Sequence, residues 1–242
     1  VFEVDGAEIG RGCLTPTGSN QVRQDASLDW KTLRGVSKSA TGVVSTKDRY
    51  DRSPEAEKAL DKAMAAVKEK KNAEAITLLK EIVAKDPKDF FAWTVLGTVH
   101  STEKNYSEAS SAFAKALEQK PEFSLALLGL ARLELNEKNY DKAIEILLKA
   151  LAAEPSSADA NHLLGEAYLQ NRKGSIAVGY LNKAIELAPV AKAEIHLRLA
   201  ALYNAAGAKD RAAAEYKAFL EKVKDYPDRK KLEDYIKENT AK

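Results

Sequence analysis

Chemistry in this sequence would have to come from a short inventory of side chains. Three histidines, His100, His162 and His196, and one cysteine, Cys13, are the groups best suited to hold a metal or to act as base and nucleophile. Their spacing serves neither purpose. A structural zinc site draws on clustered Cys and His ligands, and a hydrolytic triad needs a base beside its nucleophile. Here the histidines stand 62 and 34 residues apart, with no cysteine near any of them and no second histidine at ligand spacing. Surface or packing roles are therefore expected for them, with no catalytic, metal-binding or cofactor-binding residue and no cofactor. No glycine-rich phosphate loop is present. Two signals concern modification: Asn105-Tyr106-Ser107 matches the N-glycosylation pattern, and Thr15 and Thr17 in a Thr/Ser/Pro loop are O-linked sugar candidates. Both matter only for an exported chain.

The elements that carry these residues repeat. Pro87, Pro121, Pro155 and Pro189 are 34 residues apart. Ala75, Ala109, Ala143 and Ala177 keep the same beat, as do Leu79, Phe113, Leu147 and Leu181. Leu96, Leu130 and Leu164 form a further ladder, each followed by a small residue, Gly97, Ala131 or Gly165. Each unit holds two stretches with helical apolar periodicity, small residues recur where helices must approach closely, and each proline falls where a missing N–H and fixed φ end a helix. Ser107, Asp141 and Ser124 are expected N-caps, and Ser53-Pro54-Glu55 is a helix start. A single such hairpin cannot bury its apolar face; stacking buries it.

These residues resemble the tetratricopeptide repeat, whose unit reads W-x2-L-G-x2-Y, then A-x3-F, then P. The second unit has Trp93, Leu96, Gly97, Ala109, Phe113, Ala116 and Pro121, with His100 in the tyrosine position. The fourth has Leu164, Gly165, Tyr168, Ala177, Leu181, Ala184 and Pro189, with Asn161 at the first aromatic. The resemblance spans about 54–226 and implies an all-α, right-handed solenoid. Its repeats would run about 56–89 (degenerate), 90–123, 124–157, 158–191 and 193–226, the last starting one residue late. A capping helix, 228–240, would present a narrow stripe of Leu232, Tyr235 and Ile236, with Asp228 as its cap.

By the same resemblance the first helices line an inner binding face. Its candidates are Phe91, Thr94 and Thr98, then Leu125, Leu128 and Arg132, then Asp159, His162 and Glu166. The family's two-carboxylate clamp needs Lys, Asn and Arg where this chain has Thr94, Thr98, Leu128, Arg132, His162 and Glu166, so C-terminal chaperone tails are not expected ligands. Phe91, Leu125 and Leu128 offer either an apolar anchor or a patch buried against the N-terminal arm or the next helix.

Residues 1–52 lie outside the repeat, as an extended, β-rich arm and linker, with 53–242 as the solenoid. Asp5-Gly6 suggests a hairpin turn. In the alternating stretch 21–30, Val22, Ala26, Leu28 and Trp30 point one way, the pattern of a strand with one buried face. Residues 35–52 read as a polar linker. Such short strands need something to pack on: the chain's own array, a neighbouring chain's, or strands beyond Val1. The arm is a candidate for self-assembly in trans, or else a local lid or leader.

Composition bounds the function classes. With 45% hydrophobic and 31% charged residues the chain reads as folded and helix-rich, and a net charge of +2 with interleaved signs gives no field for nucleic acid. No run of about 18 apolar residues marks a membrane span. The chain opens at Val1 rather than Met, as a processed or partial chain would, which keeps export open. The expectation is a non-enzymatic scaffold for proteins or peptides. The alternatives are an exported subunit that self-assembles, in the extreme as a filament, by docking its arm on a neighbour, and an accessory domain of a larger enzyme.

Overall fold

The computed structural model describes strands Phe2–Val4 and Ala7–Gly10 and residues 49–240. It divides into two compact units, Val1–Ser45 and Thr46–Lys242. In the first, β1 (Phe2–Val4) pairs antiparallel with β2 (Ala7–Gly10), matching Val4 to Ala7 and Glu3 to Glu8 on either side of Asp5-Gly6. Val22, Ala26, Leu28 and Trp30 lie outside the described residues, as do Thr15 and Thr17.

The second unit is an all-α solenoid. Its helices are α1 (Pro54–Lys68), α2 (Asn72–Lys85), α3 (Phe90–Thr102), α4 (Tyr106–Gln119), α5 (Ser124–Asn136), α6 (Tyr140–Ala153), α7 (Ala158–Gln170), α8 (Gly174–Leu187), α9 (Glu194–Ala205), α10 (Lys209–Lys222) and α11 (Arg229–Asn239). Ten of them form five antiparallel pairs. The first helices of neighbouring pairs touch, α3 with α5 and α5 with α7, so they line the inner side of the stack.

Within each pair the chain turns through one left-handed residue. Lys70, Lys104, Lys138 and Arg172 take φ of 60°, 62°, 65° and 58°, and the fifth turn uses Gly207 at 77°. The residue after each donates its N–H back across the turn, as Lys71 does to the Ala66 carbonyl at 2.9 Å and Asn139 to that of Glu134 at 2.8 Å. This is the Schellman closure, which satisfies carbonyls at the end of the first helix. It also corrects the expected caps. Ser107, Ser124 and Asp141 fall inside the first turns of α4, α5 and α6, whose cap residues are Asn105, Phe123 and Asn139. In α4 and α6 the Schellman turn has already fixed the entry. Asp141 instead accepts a bond from Asn171 of the next turn at 2.7 Å. Side-chain caps form at Ser53, Asp89 and Ser157. Asp228 precedes α11 but makes no side-chain cap, and pairs with Lys231 at 2.6 Å.

The core is built by fitting large residues under small ones. Phe113 is 1% exposed, and a Cβ placed on Gly97 or Gly129 would come within 2.8 and 2.4 Å of its ring. Leu181 plays the same part under Gly165, where the distance would be 2.5 Å. The degenerate first repeat has a physical reason. Positions filled by buried Ala92, Ala126 and Ala160 in later first helices hold exposed Lys58 in α1, and the Leu96/Leu164 position holds exposed Lys62. Among the described residues no helix pair precedes α1, so those positions face water. At the other end Leu232 and Ile236 of α11 pack on Ala193, Phe219 and Leu220. Its outer residues Lys230, Glu233, Asp234 and Lys237 are exposed.

Candidate functional site

The nine inner-face candidates do not share one environment. Thr98 and Arg132 are exposed, and Phe91, Leu125, Asp159, His162 and Glu166 are half-buried. Thr94 and Leu128 are 4% and 5% exposed, which removes both as groove contacts. The Thr94 hydroxyl donates to the Phe90 carbonyl at 2.8 Å, and Leu128 belongs to a cluster with Ile144, Ala160 and Leu164. At this position α3 and α5 turn their side chains toward neighbouring helices, and only at His162 does the same register open.

From there the surface widens into a trough of about 710 Å³ over α7 and α9. Beyond His162 and Glu166 it is lined by Glu194, Leu197 and Ala201, with Phe219, Val223 and Tyr226 along one side. Glu194, Leu197 and Ala201 continue the candidate series in the fifth pair, 35 residues after Asp159, His162 and Glu166. The sequence reading stopped at the fourth repeat; the one-residue shift after Pro189, already visible in the sequence, was the signal that would have found them. Arg198 grips Glu166 with two bonds, at 2.9 and 2.7 Å, between neighbouring first helices. Lys192, just before α9, pairs with Asp159 of α7. Burial, followed by the nearby Lys192, lowers the pKa of the His162 imidazole, and Glu166 and Asp159 only partly counter this. Asp159 stays ionised: burial acts to raise its carboxyl, but the bonded Lys192 more than offsets this. The charged groups are thus largely paired, while Leu197, Ala201, Val223 and Tyr226 supply apolar surface.

The opposite end of the groove is occupied by the chain itself. Tyr50 and Arg52, in the stretch read as linker, fold over the start of α3. Arg52 makes a two-pronged bond to Asp89, at 2.6 and 2.7 Å, and its guanidinium lies 5.2 and 5.3 Å from the Tyr50 and Phe91 ring centres. The Tyr50 hydroxyl donates to Asp86 at 2.6 Å, and its ring meets Phe90 edge-on. Burial and then the bonded Asp86 push the Tyr50 phenol up to about 12. Phe91 stays half-buried, with the Arg52 guanidinium and the Phe123 ring, 6.4 Å away, as neighbours.

The remaining histidines lie in the helix packing: His100 is 5% exposed in α3, and His196 pairs with Glu215 at 2.6 Å between α9 and α10. Asn105 is exposed at the tight turn into α4, with Tyr106 and Ser107 already helical.

Paired helices, Schellman turns, small-over-large packing and an inner face of first helices define a tetratricopeptide-repeat protein. The chain belongs to the family of the cytochrome c-type biogenesis protein H TPR domain, whose model matches residues 43–195. No curated protein matches the sequence. Among solved structures it is similar to PilW, described as a widely conserved type IV pilus biogenesis factor, at 19% identity, with a TM-score of 0.67, 77% of this chain and 88% of that one covered. It is similar also to PilF of Pseudomonas aeruginosa, at 19% identity, TM-score 0.66 and coverage of 76% and 88%. MamA from Desulfovibrio magneticus RS-1, residues 41 to the end, matches at 22% identity, TM-score 0.63 and coverage of 73% and 99%. At these identities the likeness is one of fold. Among the described residues no helix is long and apolar enough to cross a membrane.

Proposed function

We propose that this chain is a non-enzymatic scaffold that docks a peptide segment of a partner protein in the trough over α7 and α9. The observation that carries the reading is the change along one register: buried at Thr94 and Leu128, it opens at His162 and Leu197 onto a surface with apolar side chains between paired charges. Such a surface suits an extended or helical segment with an apolar anchor, because apolar side chains lie between charges that are largely paired with one another. The word biogenesis in the name of the matching family and in the description of PilW agrees with a scaffold that works in assembly. Peptides selected from a random library on the full chain should lose at least about tenfold in affinity for Leu197→Glu, since a buried unpaired charge in the anchor site costs more than a kilocalorie. They should bind Lys237→Glu, on the outer face of α11, unchanged. Equal binding to all three proteins would exclude the trough.

A further inference from the structure

Residues 49–53 form neither helix nor strand, and among the described residues no backbone hydrogen bond holds 49–52. They are fixed by two side chains. Arg52 and Asp89 are 7% and 1% exposed, so this is a desolvated ion pair with matched fork geometry, not a surface contact. Asp89 uses one oxygen twice, accepting both from Arg52 and from the Ala92 N–H at 2.9 Å that it caps. Phe90 and Phe91 frame the two incoming side chains. This is how a folded domain holds a short peptide: an irregular segment, an aromatic and an arginine as anchors, and preformed acidic and aromatic acceptors on the host. The segment also runs beside an open recess of about 360 Å³ with an apolar floor of Ala59, Leu78 and Ile82, so the corner is not closed over.

We propose that the corner formed by Asp86, Asp89, Phe90 and Phe91 is a recognition site for an aromatic-x-arginine peptide segment. In the resting chain Tyr50-Asp51-Arg52 occupies it in cis, and a partner chain presenting the same pattern binds by displacing them. The tether gives the resident segment a high effective concentration, so a free competitor is held off until the cis contact is weakened. The site is separate from the trough, and Leu197→Glu should leave it unaffected, so failure of one reading is distinguishable from failure of the other.

The test uses the full chain and a labelled peptide of residues 46–53. The double variant Tyr50→Ala/Arg52→Ala, shown folded by circular dichroism, should bind the peptide at least about tenfold more tightly than the unaltered chain. A peptide with its arginine replaced by alanine should not bind. A folded variant that binds neither peptide, or both equally, would overturn the proposal. If the double variant does not fold, Tyr50→Phe removes only the bond to Asp86; it should then bind the peptide about threefold or more tightly than the unaltered chain, from a lost hydrogen bond of ordinary size, and equal binding would overturn the proposal.

Discussion

The two ends of the inner groove are built on one repeat and reach opposite results. At α3 the groove is filled: Arg52 and Tyr50 lie on Phe90 and Phe91, held by buried Asp89 and half-buried Asp86 respectively. At α7 and α9 the groove is lined by His162, Glu166, Leu197 and Ala201, the register positions that Thr94 and Thr98 hold in α3, and the surface stays open. Backbone geometry is common to both, down to the left-handed residue in each turn. The difference lies in which side chains occupy the shared register and in what precedes the first repeat. A solenoid can thus confine its accessible surface to one part of a continuous groove without altering its fold.

The largest difference between the two ends is expected at Asp89. Asp89→Ala removes the α3 cap and leaves Arg52 buried without its partner, and should cost about 3–5 kcal/mol in urea unfolding. The counterpart at the other end, half-buried Glu166→Ala, should cost below about 1 kcal/mol, since its partner Arg198 is exposed and returns to water. Similar losses at the two sites would mean that the corner is no more desolvated than the trough. A second contrast concerns packing. Gly129→Ala drives a Cβ into the rigid Phe113 ring and should cost about 1–3 kcal/mol in urea unfolding, whereas Gly179→Ala in α8, whose Cβ would meet nothing within 4 Å, should not destabilise.

Acid should weaken the fold through its histidines. Burial, reinforced by Lys80, lowers the imidazole of His100, whose Nδ1 is buried and unpartnered, and Glu108 only partly counters this. The folded pKa then lies below the unfolded one, so the unfolded chain takes up the proton first. The stabilisation is complete above the ordinary histidine range and is lost as pH falls through it. Thermal melts of His100→Gln should show a shallower decline between about pH 7 and 5 than the unaltered chain; an identical slope would assign the decline to other groups. The smallest effect is expected at the turns. Lys138→Gly relieves a left-handed conformation and should stabilise by up to about 1 kcal/mol, less than the intrinsic penalty because glycine also frees the unfolded chain.

The repeat was legible because its signals are local and recur: prolines, alanine ladders and paired small and large residues at one spacing. The turns were less so. Four of the five carry Lys or Arg where glycine would announce a left-handed residue, and only the spacing of Lys70, Lys104, Lys138 and Arg172 gives them away. The inner-face reading failed at Thr94 and Leu128 because a helix position faces solvent or a neighbour according to how the helices cross, which one repeat's pattern does not encode. It ended too early because the fifth pair is shifted by one residue. Tyr50 and Arg52 were read as linker since neither is apolar; what buries them is the acceptors at Asp86 and Asp89, 36 and 37 residues onward. Polar side chains at both ends, Lys58 and Lys62 in α1 and the outer face of α11, argue against bare stacking of one array on another.

One register of the first helices is closed at α3 and α5 and open at α9. Single cysteines at Thr94, Leu128 and Leu197, each in a Cys13→Ser background, test it by their rates of maleimide labelling in the native full chain. Leu197→Cys should react at least about tenfold faster than the other two, whose labelling must wait for local opening. Comparable rates at all three positions would contradict the account.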